Sequence, residues 1–193
     1  MRVLLVHAHP VESSFNGSLY RIVRQTLIDR GHEVDCLDLY AERFDPVLSH
    51  DERLNYHDTE NNRTGVTDSV ERLLKADALV LVYPVWNYGF PAILKGWFDR
   101  VFLPGVSFRI EDGQVVPCLH NIGKLAAITS YGGTRLRSFL AGDPPRKIIK
   151  RMLRLTIRRG APVHYLAHYD MNRSTTESRH AFMSKVQSVL ENF

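Results

Sequence analysis

The 193-residue chain contains little cysteine and no long apolar run. Its two cysteines, Cys36 and Cys118, have neither CxxC spacing nor clustered histidine partners, which argues against a disulfide framework and against a metal site. No apolar segment approaches the ~20 residues that a membrane-spanning helix requires. The N-terminal stretch runs directly into a strand-like pattern, which is unlike a secretory signal. These absences predict a single soluble domain, residues 1–193, in a reducing cytoplasm.

The chain also lacks the G-x-G-x-x-G fingerprint of common dinucleotide-binding domains and the glycine-rich, lysine-containing phosphate loop. It carries no signature of a nucleic-acid-binding fold, so we expect no nucleic-acid partner. Its formal net charge is only +4, yet seven basic residues and no acidic one fall between Arg146 and Arg159. Apolar residues interleave with them, which predicts an amphipathic helix. Its basic face is either solvated or attracts an anion such as a nucleotide phosphate or a membrane surface.

Short apolar runs alternate with helical patterns, which is typical of an α/β protein with a doubly wound parallel sheet and helices on both faces. The predicted strands are Arg2–Ala8, Glu33–Leu39, Ala78–Tyr83, Lys124–Ser130 and Val163–His168. The predicted helices are Ser14–Arg30, Thr67–Lys75, Ala92–Phe102, Pro145–Arg159 and Thr175–Glu191, the last capped by Ser174. The order 2-1-3-4-5 is the simplest one for five such strands.

Two further segments connect these elements. The polar stretch Tyr40–Thr67 is too long for a simple connection and is expected to be a functional loop with short helical pieces. Thr67 or Asp68 is expected to cap the helix that follows it. The segment Val106–Pro117 is expected to form a hairpin that turns at Glu111-Asp112-Gly113.

The segment His9–Asn16 lies between the first predicted strand and the first helix. Free backbone N–H groups and the positive end of a helix favour an anion at such a place. Ser13, Ser14 and Asn16 add further donors, whereas Glu12 has to point away from a bound phosphate. Simple helix capping by Ser13 or Ser14 explains the same pattern without any ligand.

The segment Tyr83–Phe102 is the most informative part of the chain. A buried strand stops on a loop that carries Trp86, Tyr88 and Phe90, and a helix then begins. Ligands of open α/β sheets bind beyond the carboxyl ends of the strands, so this aromatic loop is a suitable platform for a flat ring. Gly89 is expected to allow the tight turn. The aromatic residues are otherwise explained as core or interface residues.

A third segment, Thr129–Gly133, ends the fourth predicted strand with two glycines that allow a ligand to approach the backbone closely. Alone, this pattern indicates only a turn. The three segments follow strands one, three and four, which are neighbours in the predicted order, so we expect them to meet in one crevice.

These three segments resemble the NAD(P)H:quinone oxidoreductases, the quinone-reductase branch of the flavodoxin-like flavoproteins. The resemblance extends from the first strand to about Gly133, and Pro91–Phe102 is its most specific stretch. It implies a flavodoxin-like fold and a bound flavin, with FAD favoured and FMN as the alternative. The flavin-binding residues that it implies are His9, Ser14, Phe15, Asn16, Pro84, Val85, Trp86, Asn87, Tyr88, Gly89, Thr129, Ser130, Tyr131, Gly132, Gly133 and Arg179.

Members of that family place a tyrosine and a histidine shortly after the two glycines, where they assist hydride transfer. Here Thr134–Phe139 follow instead, and no histidine occurs before His164. Tyr131 and Arg135 are therefore the predicted catalytic residues, with Arg137 as a further local substitute.

The resemblance implies an enzyme in which hydride passes from NAD(P)H through the flavin to a quinone-like acceptor, with ping-pong kinetics. It also implies a homodimer, with the apolar face of Arg146–Arg159 and the Val106–Pro117 excursion as candidate contacts. Two alternatives stay open: a flavin-bearing regulatory subunit of a membrane partner, which is not favoured, and a flavodoxin-like electron carrier. The acceptor and the choice between NADH and NADPH are also open.

Overall fold

Five parallel strands form the central sheet of the computed structural model, which describes residues 1–193. The sheet strands are β1 (Arg2–His7), β2 (Glu33–Asp38), β3 (Ala78–Val85), β6 (Lys124–Tyr131) and β7 (Val163–His168). A separate antiparallel hairpin consists of β4 (Phe108–Glu111) and β5 (Gln114–Pro117). The sheet order β2-β1-β3-β6-β7 is the predicted order 2-1-3-4-5 once the hairpin is set aside. The predicted fold class is therefore confirmed.

The central strands are continuous apolar runs because helices cover both faces of the sheet. All eight residues of β3 are buried, and β3 ends at Val85, two residues beyond its predicted end. The register pairs Val85 with Tyr131 of β6, so both strands reach the same edge of the sheet. The predicted hairpin is also present, with Asp112 at φ 49° and Gly113 at φ 76° in its turn.

Eight helices surround the sheet. They are α1 (Phe15–Asp29), α2 (His50–Leu54), α3 (Thr67–Lys75), α4 (Ala92–Val101), α5 (Arg135–Leu140), α6 (Pro144–Lys147), α7 (Arg154–Thr156) and α8 (Thr176–Leu190). Helices α1 and α8 pack on one face of the sheet, whereas α3 and α4 pack on the other, giving two apolar cores. None of the helices is both long and apolar enough to cross a membrane.

The predicted helix over Pro145–Arg159 is present but ends three residues early. The backbone is helical without a break through α6, a π-helical turn at Ile148–Leu153 and α7, and it becomes extended at Ile157. The π-helical turn was not predicted. Helix α5 was missed altogether. Its apolar residues Leu136, Phe139 and Leu140 are 67%, 74% and 74% exposed, so no buried stripe marks it as a helix.

Two of the predicted caps also differ from the structure. Thr175, not Ser174, caps α8 through a capping box with Ser178. Helix α3 has no side-chain cap, because the Thr67 hydroxyl donates to the carbonyl oxygen of Arg63 instead. By contrast, Ser14 caps α1, and Gly31 follows that helix at φ 78°.

The long polar connection after β2 contains the short helix α2 and packs against α4. Buried Arg100 of α4 donates to Glu52 of α2 over 3.0 Å and to the carbonyl oxygen of Asp45. Although burial opposes ionisation of Glu52, its hydrogen bonds from Ser49 and Arg100 hold its pKa below the usual range. The predicted loop Tyr40–Thr67 therefore contains a short helix, as expected, and Arg100 holds it against α4 by hydrogen bonds.

Candidate functional site

A cleft of about 470 Å³ opens at the carboxyl edge of the sheet, between the loops that follow β3, β6 and β7. Its lining residues are Val85, Asn87, Tyr88, Tyr131, Gly132, Gly133, Thr134, Arg137, Asp170, Asn172 and Arg173. The aromatic loop and the Gly-Gly segment therefore meet, as predicted. The first loop lies beside them, since Asn16 donates to Ser130 over 3.0 Å and the rings of His9 and Trp86 are 5.7 Å apart.

The loop between β1 and α1 holds the ring of His9 in place. His9 Nδ1 lies 3.0 Å from the backbone nitrogen of Val11 and 3.1 Å from the carbonyl oxygen of the same residue. Burial lowers the pKa of His9, so the ring is neutral near pH 7. Ser14 Oγ lies 3.1 Å from the same Nδ1 and accepts the N–H of Gly17 over 3.0 Å. The neutral His9 ring therefore lies beside the helix terminus.

The first turn of α1 is a suitable place for an anion. The backbone N–H groups of Phe15 and Asn16 have no acceptor within the chain, and the turn contains no acidic residue. Asn16 is buried, and its Oδ1 has no hydrogen-bond partner. The side chain of Glu12 is exposed, as a phosphate site there requires. The free N–H groups suit a phosphate that is part of a larger ligand, whereas Asn16 Oδ1 can only accept a hydrogen bond.

The aromatic loop is a two-residue turn in which Trp86 and Gly89 exchange backbone hydrogen bonds of 3.2 and 2.8 Å. The left-handed residues are Asn87 at φ 49° and Tyr88 at φ 58°, so the prediction that Gly89 provides the turn was wrong. Asparagine tolerates this conformation, whereas for Tyr88 it costs about 1–2 kcal/mol. Trp86 and Tyr88 are each 41% exposed, and they present aromatic surface at the sheet edge. Backbone strain of this kind is concentrated at functional sites.

The two glycines after β6 leave room in the cleft rather than permitting a special backbone conformation. A Cβ on Gly132 would lie 3.9 Å from the side chain of Asn172, and one on Gly133 would lie 3.6 Å from the Tyr88 hydroxyl. These neighbours line the cleft, so each added methyl would project into it. Thr129, fully buried at the end of the same strand, has a hydroxyl without a partner. The segment fits a flat group that approaches the backbone.

The hydroxyl of Tyr131 points away from the cleft and is hydrogen-bonded to residues that do not line it. It donates to Asp143 Oδ1 over 2.6 Å and lies 2.5 Å from the hydroxyl of Tyr165. Burial, followed by the neighbouring Tyr165 and Asp143, raises the pKa of Tyr131 far above its usual value, so the phenol stays neutral. Its ring lies 4.6 Å from that of Tyr169. The side chain therefore positions its neighbours rather than offering its hydroxyl to the cleft.

The predicted arginines lie in three different places. Arg137 of α5 lines the cleft, whereas Arg135 lines a neighbouring cavity. Arg179 donates to Ser174 Oγ over 3.2 Å and to Thr176 Oγ1 over 3.3 Å, and it lines neither space. Sequence reasoning missed the polar residues Asp170, Asn172 and Arg173. They follow β7, and the rule that ligands bind beyond strand ends could have indicated them.

The profile of a protein family described by its flavodoxin-like fold matches residues 1–182. The chain belongs to this flavodoxin-like family. The resemblance stated from sequence is thereby confirmed, and the cleft lies at the edge where this fold places ligands. No group of three or more His, Cys, Asp or Glu side chains in this chain is arranged to hold a metal ion.

Relatives of this flavodoxin-like chain carry oxidoreductase names. It is 36% identical over 126 residues to an NAD(P)H oxidoreductase of Haemophilus influenzae, covering 63% of this chain and 60% of that protein. It is 35% identical over 150 residues to the ribosyldihydronicotinamide dehydrogenase [quinone] of Homo sapiens, covering 69% and 64%. The alignments thus span less than two thirds of these relatives. The structure of an NAD(P)H:quinone oxidoreductase from Methanothermobacter marburgensis superposes with a TM-score of 0.84 at 25% identity, covering 100% of this chain and 98% of that one.

Proposed function

We propose that this chain is an NAD(P)H-dependent flavin oxidoreductase that reduces a quinone-like acceptor. The observation that carries the proposal is the convergence of three loops, after β1, β3 and β6, at one edge of the sheet. The first offers N–H donors to an anion, the second exposes the rings of Trp86 and Tyr88, and the third has two glycines without side chains. The quinone oxidoreductase names of the relatives support the same reaction class.

In this proposal each loop holds a different part of the flavin. The phosphate lies at the first loop, near the His9 ring and the free N–H groups of α1. Trp86 and Tyr88 pack on the ring, and the segment Thr129–Gly133 holds its polar end. The remaining proposed contacts are Ser14, Phe15, Asn16, Pro84, Val85, Asn87 and Gly89. When bound, a flavin accepts hydride from NAD(P)H and passes reducing equivalents to the acceptor.

The residues around the cleft supply positioning and electrostatics. The backbone N–H groups of Gly132 and Gly133 have no acceptor in the chain, and such donors stabilise negative charge that develops nearby. Arg137 adds a cation to the same cleft. We propose that Arg137, rather than Arg135, serves this electrostatic role, and that Tyr131 acts by holding Asp143 in place.

We propose FAD as the flavin. A second cavity of about 470 Å³ adjoins the first loop and is lined by His7, His9, Tyr20, Arg21 and Tyr40 among others. Tyr20 and Tyr40 offer aromatic surface to an adenine ring, which FMN lacks, whereas Glu12 and Asp38 of the same cavity have to stay away from its phosphate. Mass spectrometry of the flavin released by heating the purified protein tests this assignment. Recovery of FMN alone contradicts it without affecting the reaction class.

We also propose a homodimer. The exposed apolar residues Ile110 and Val115 of the hairpin and Met152 and Leu155 of the basic segment are 48–74% exposed. The hairpin and this segment are adjacent, since Leu119 and Ile157 form a β-bridge. Burying such a surface in a second copy would stabilise the pair. Sedimentation equilibrium at micromolar concentration is expected to give twice the monomer mass.

The decisive experiment is an absorbance spectrum of the purified protein, followed by anaerobic addition of NADPH or NADH. A flavin spectrum that bleaches, with parallel initial-velocity lines for nucleotide and quinone, supports the proposal. A flavin that stays oxidised points to an electron carrier or a sensor subunit. A colourless protein that also fails to bind added FAD and FMN contradicts the proposal.

A further inference from the structure

A cavity of about 460 Å³ lies on the other side of α5 from the cleft. Its basic lining residues are Arg135, Arg146, Lys147, Lys150 and Arg151. None of these five side chains forms an ion pair with an acidic side chain of the chain, whereas Arg72 and Arg100 elsewhere are paired. The cavity therefore concentrates positive charge that the chain itself does not neutralise.

The one acidic residue of this cavity is already engaged. Asp143 accepts the hydroxyl of Tyr131 over 2.6 Å through Oδ1. Arg146 is half-buried, with its guanidinium 5.3 Å from the centre of the Tyr165 ring. That stacking restricts the Arg146 side chain, so less conformational entropy is lost when it binds an anion. The cavity combines one restrained arginine with four exposed cations.

Tyr131 and Asp143 lie between the cleft and the cavity. Tyr131 lines the cleft, and its hydroxyl contacts Asp143, which lines the cavity. On α5, Arg137 faces the cleft and Arg135 faces the cavity. The cavity therefore adjoins the cleft in which the proposed function places the nicotinamide.

We propose that the basic cavity binds the 2′-phosphate of NADPH, so that the chain uses NADPH in preference to NADH. The inference rests on the proposed function and names the nucleotide that this function uses. A 2′-phosphate carries about two negative charges at neutral pH and accepts charge-assisted hydrogen bonds from arginine and lysine. NADH has a hydroxyl at that position and gains little from unpaired cations.

Binding is measured without any turnover, by calorimetric titration of the purified protein with adenosine 2′,5′-bisphosphate and, separately, with adenosine 5′-diphosphate. We expect the 2′-phosphate probe to bind about tenfold or more tightly, the effect of one charged hydrogen bond. Arg146→Ala and Lys150→Ala are each expected to weaken that probe about tenfold. Arg159→Ala is the matched control, since it removes the same charge from the same basic segment outside the cavity.

A kinetic measurement on the flavin-loaded protein separates this inference from the proposed function. We expect Arg146→Ala to lower kcat/KM for NADPH while leaving kcat/KM for NADH unchanged. Equal use of both nucleotides by the parent protein, with equal binding of the two adenosine probes, overturns the inference and leaves the flavin reductase intact. A protein that oxidises neither nucleotide refutes the proposed function instead.

Sedimentation with vesicles of phosphatidylcholine and phosphatidylserine tests the other source of phosphate groups. Vesicle binding that is lost in Lys150→Ala, with unchanged nucleotide preference, assigns the cavity to lipid headgroups and overturns the inference. No difference between these vesicles and pure phosphatidylcholine vesicles agrees with it.

Discussion

The hydroxyl of Tyr131 lies 2.6 Å from Asp143 Oδ1 and joins the wall of the cleft to the neighbouring basic cavity. Because burial raises the pKa of Tyr131, its hydroxyl is a hydrogen-bond donor at neutral pH. The same hydroxyl is 2.5 Å from that of Tyr165. Removing this oxygen therefore leaves two polar groups without their partner.

We expect Tyr131→Phe to destabilise the fold by about 1–3 kcal/mol, the usual cost of leaving a largely buried group unpaired. Flavin affinity is expected to change little, because the hydroxyl does not face the cleft. Urea unfolding and flavin titration measure the two effects. Asp143→Asn is the control, since its amide oxygen still accepts the bond and the loss should be smaller. A large drop in flavin affinity with unchanged stability contradicts this positioning role.

The aromatic turn separates backbone strain from ligand contact. Asn87→Gly is expected to change stability by less than about 1 kcal/mol with flavin affinity retained, because asparagine already tolerates the left-handed conformation. Tyr88→Gly relieves the strain at that residue but removes the ring, so flavin affinity should fall about tenfold. Thermal melts and fluorescence titration with FAD make the comparison. Equal flavin affinity in the two variants would show that the Tyr88 ring does not contact the flavin.

Two glycine substitutions distinguish the packing of the first loop from the space in the cleft. A Cβ on Gly17 would lie 2.0 Å from the carbonyl oxygen of Glu12, so Gly17→Ala has to displace the loop. We expect a loss of about 1–3 kcal/mol in stability together with weaker flavin binding. Gly132→Ala makes only ordinary contacts of 3.9 Å, so it should keep its stability but lose flavin affinity. The checks are denaturant unfolding and flavin content after purification. Full flavin content in Gly132→Ala contradicts the proposed approach of the ring.

The stability of the fold should fall in mild acid because of His168. This side chain is 8% exposed and packs edge-on against Phe15 and Phe182, and burial lowers its pKa below the ordinary value of 6.5. The unfolded chain therefore takes up a proton first, so stability is complete above about pH 6.5 and is lost as the pH falls toward the lower folded pKa. Melting temperatures between pH 7.5 and 5 should decline less steeply in His168→Gln. His9→Gln serves as a comparison, because the pKa of His9 is lowered in the same direction. Parallel curves for His168→Gln and the parent protein would contradict the assignment.

Local patterns were sufficient to predict the sheet, the first loop and the hairpin. Each strand is a short apolar run. Such a run is enough to predict a parallel strand that is buried on both faces. The hairpin follows from Asp112-Gly113, whose positive φ angles such residues tolerate. Local patterns did not predict α5, because its apolar residues are exposed and form no buried helix face. They also did not predict the π-helical turn within Arg146–Arg159, which changes the number of residues per turn.

The sequence by itself determined the five strands, a serine cap of α1 at Ser13 or Ser14 and, through the rules of strand connection, the edge at which the three loops meet, because these depend on residue type, on periodicity and on handed crossovers. Only the tertiary structure decided that Asn87 and Tyr88 carry the turn, that Tyr131 points toward Asp143, and that Arg135 and Arg137 face different spaces. These features depend on distances between residues far apart in the chain. Such distances are set by how helices pack on the sheet, which no local pattern records.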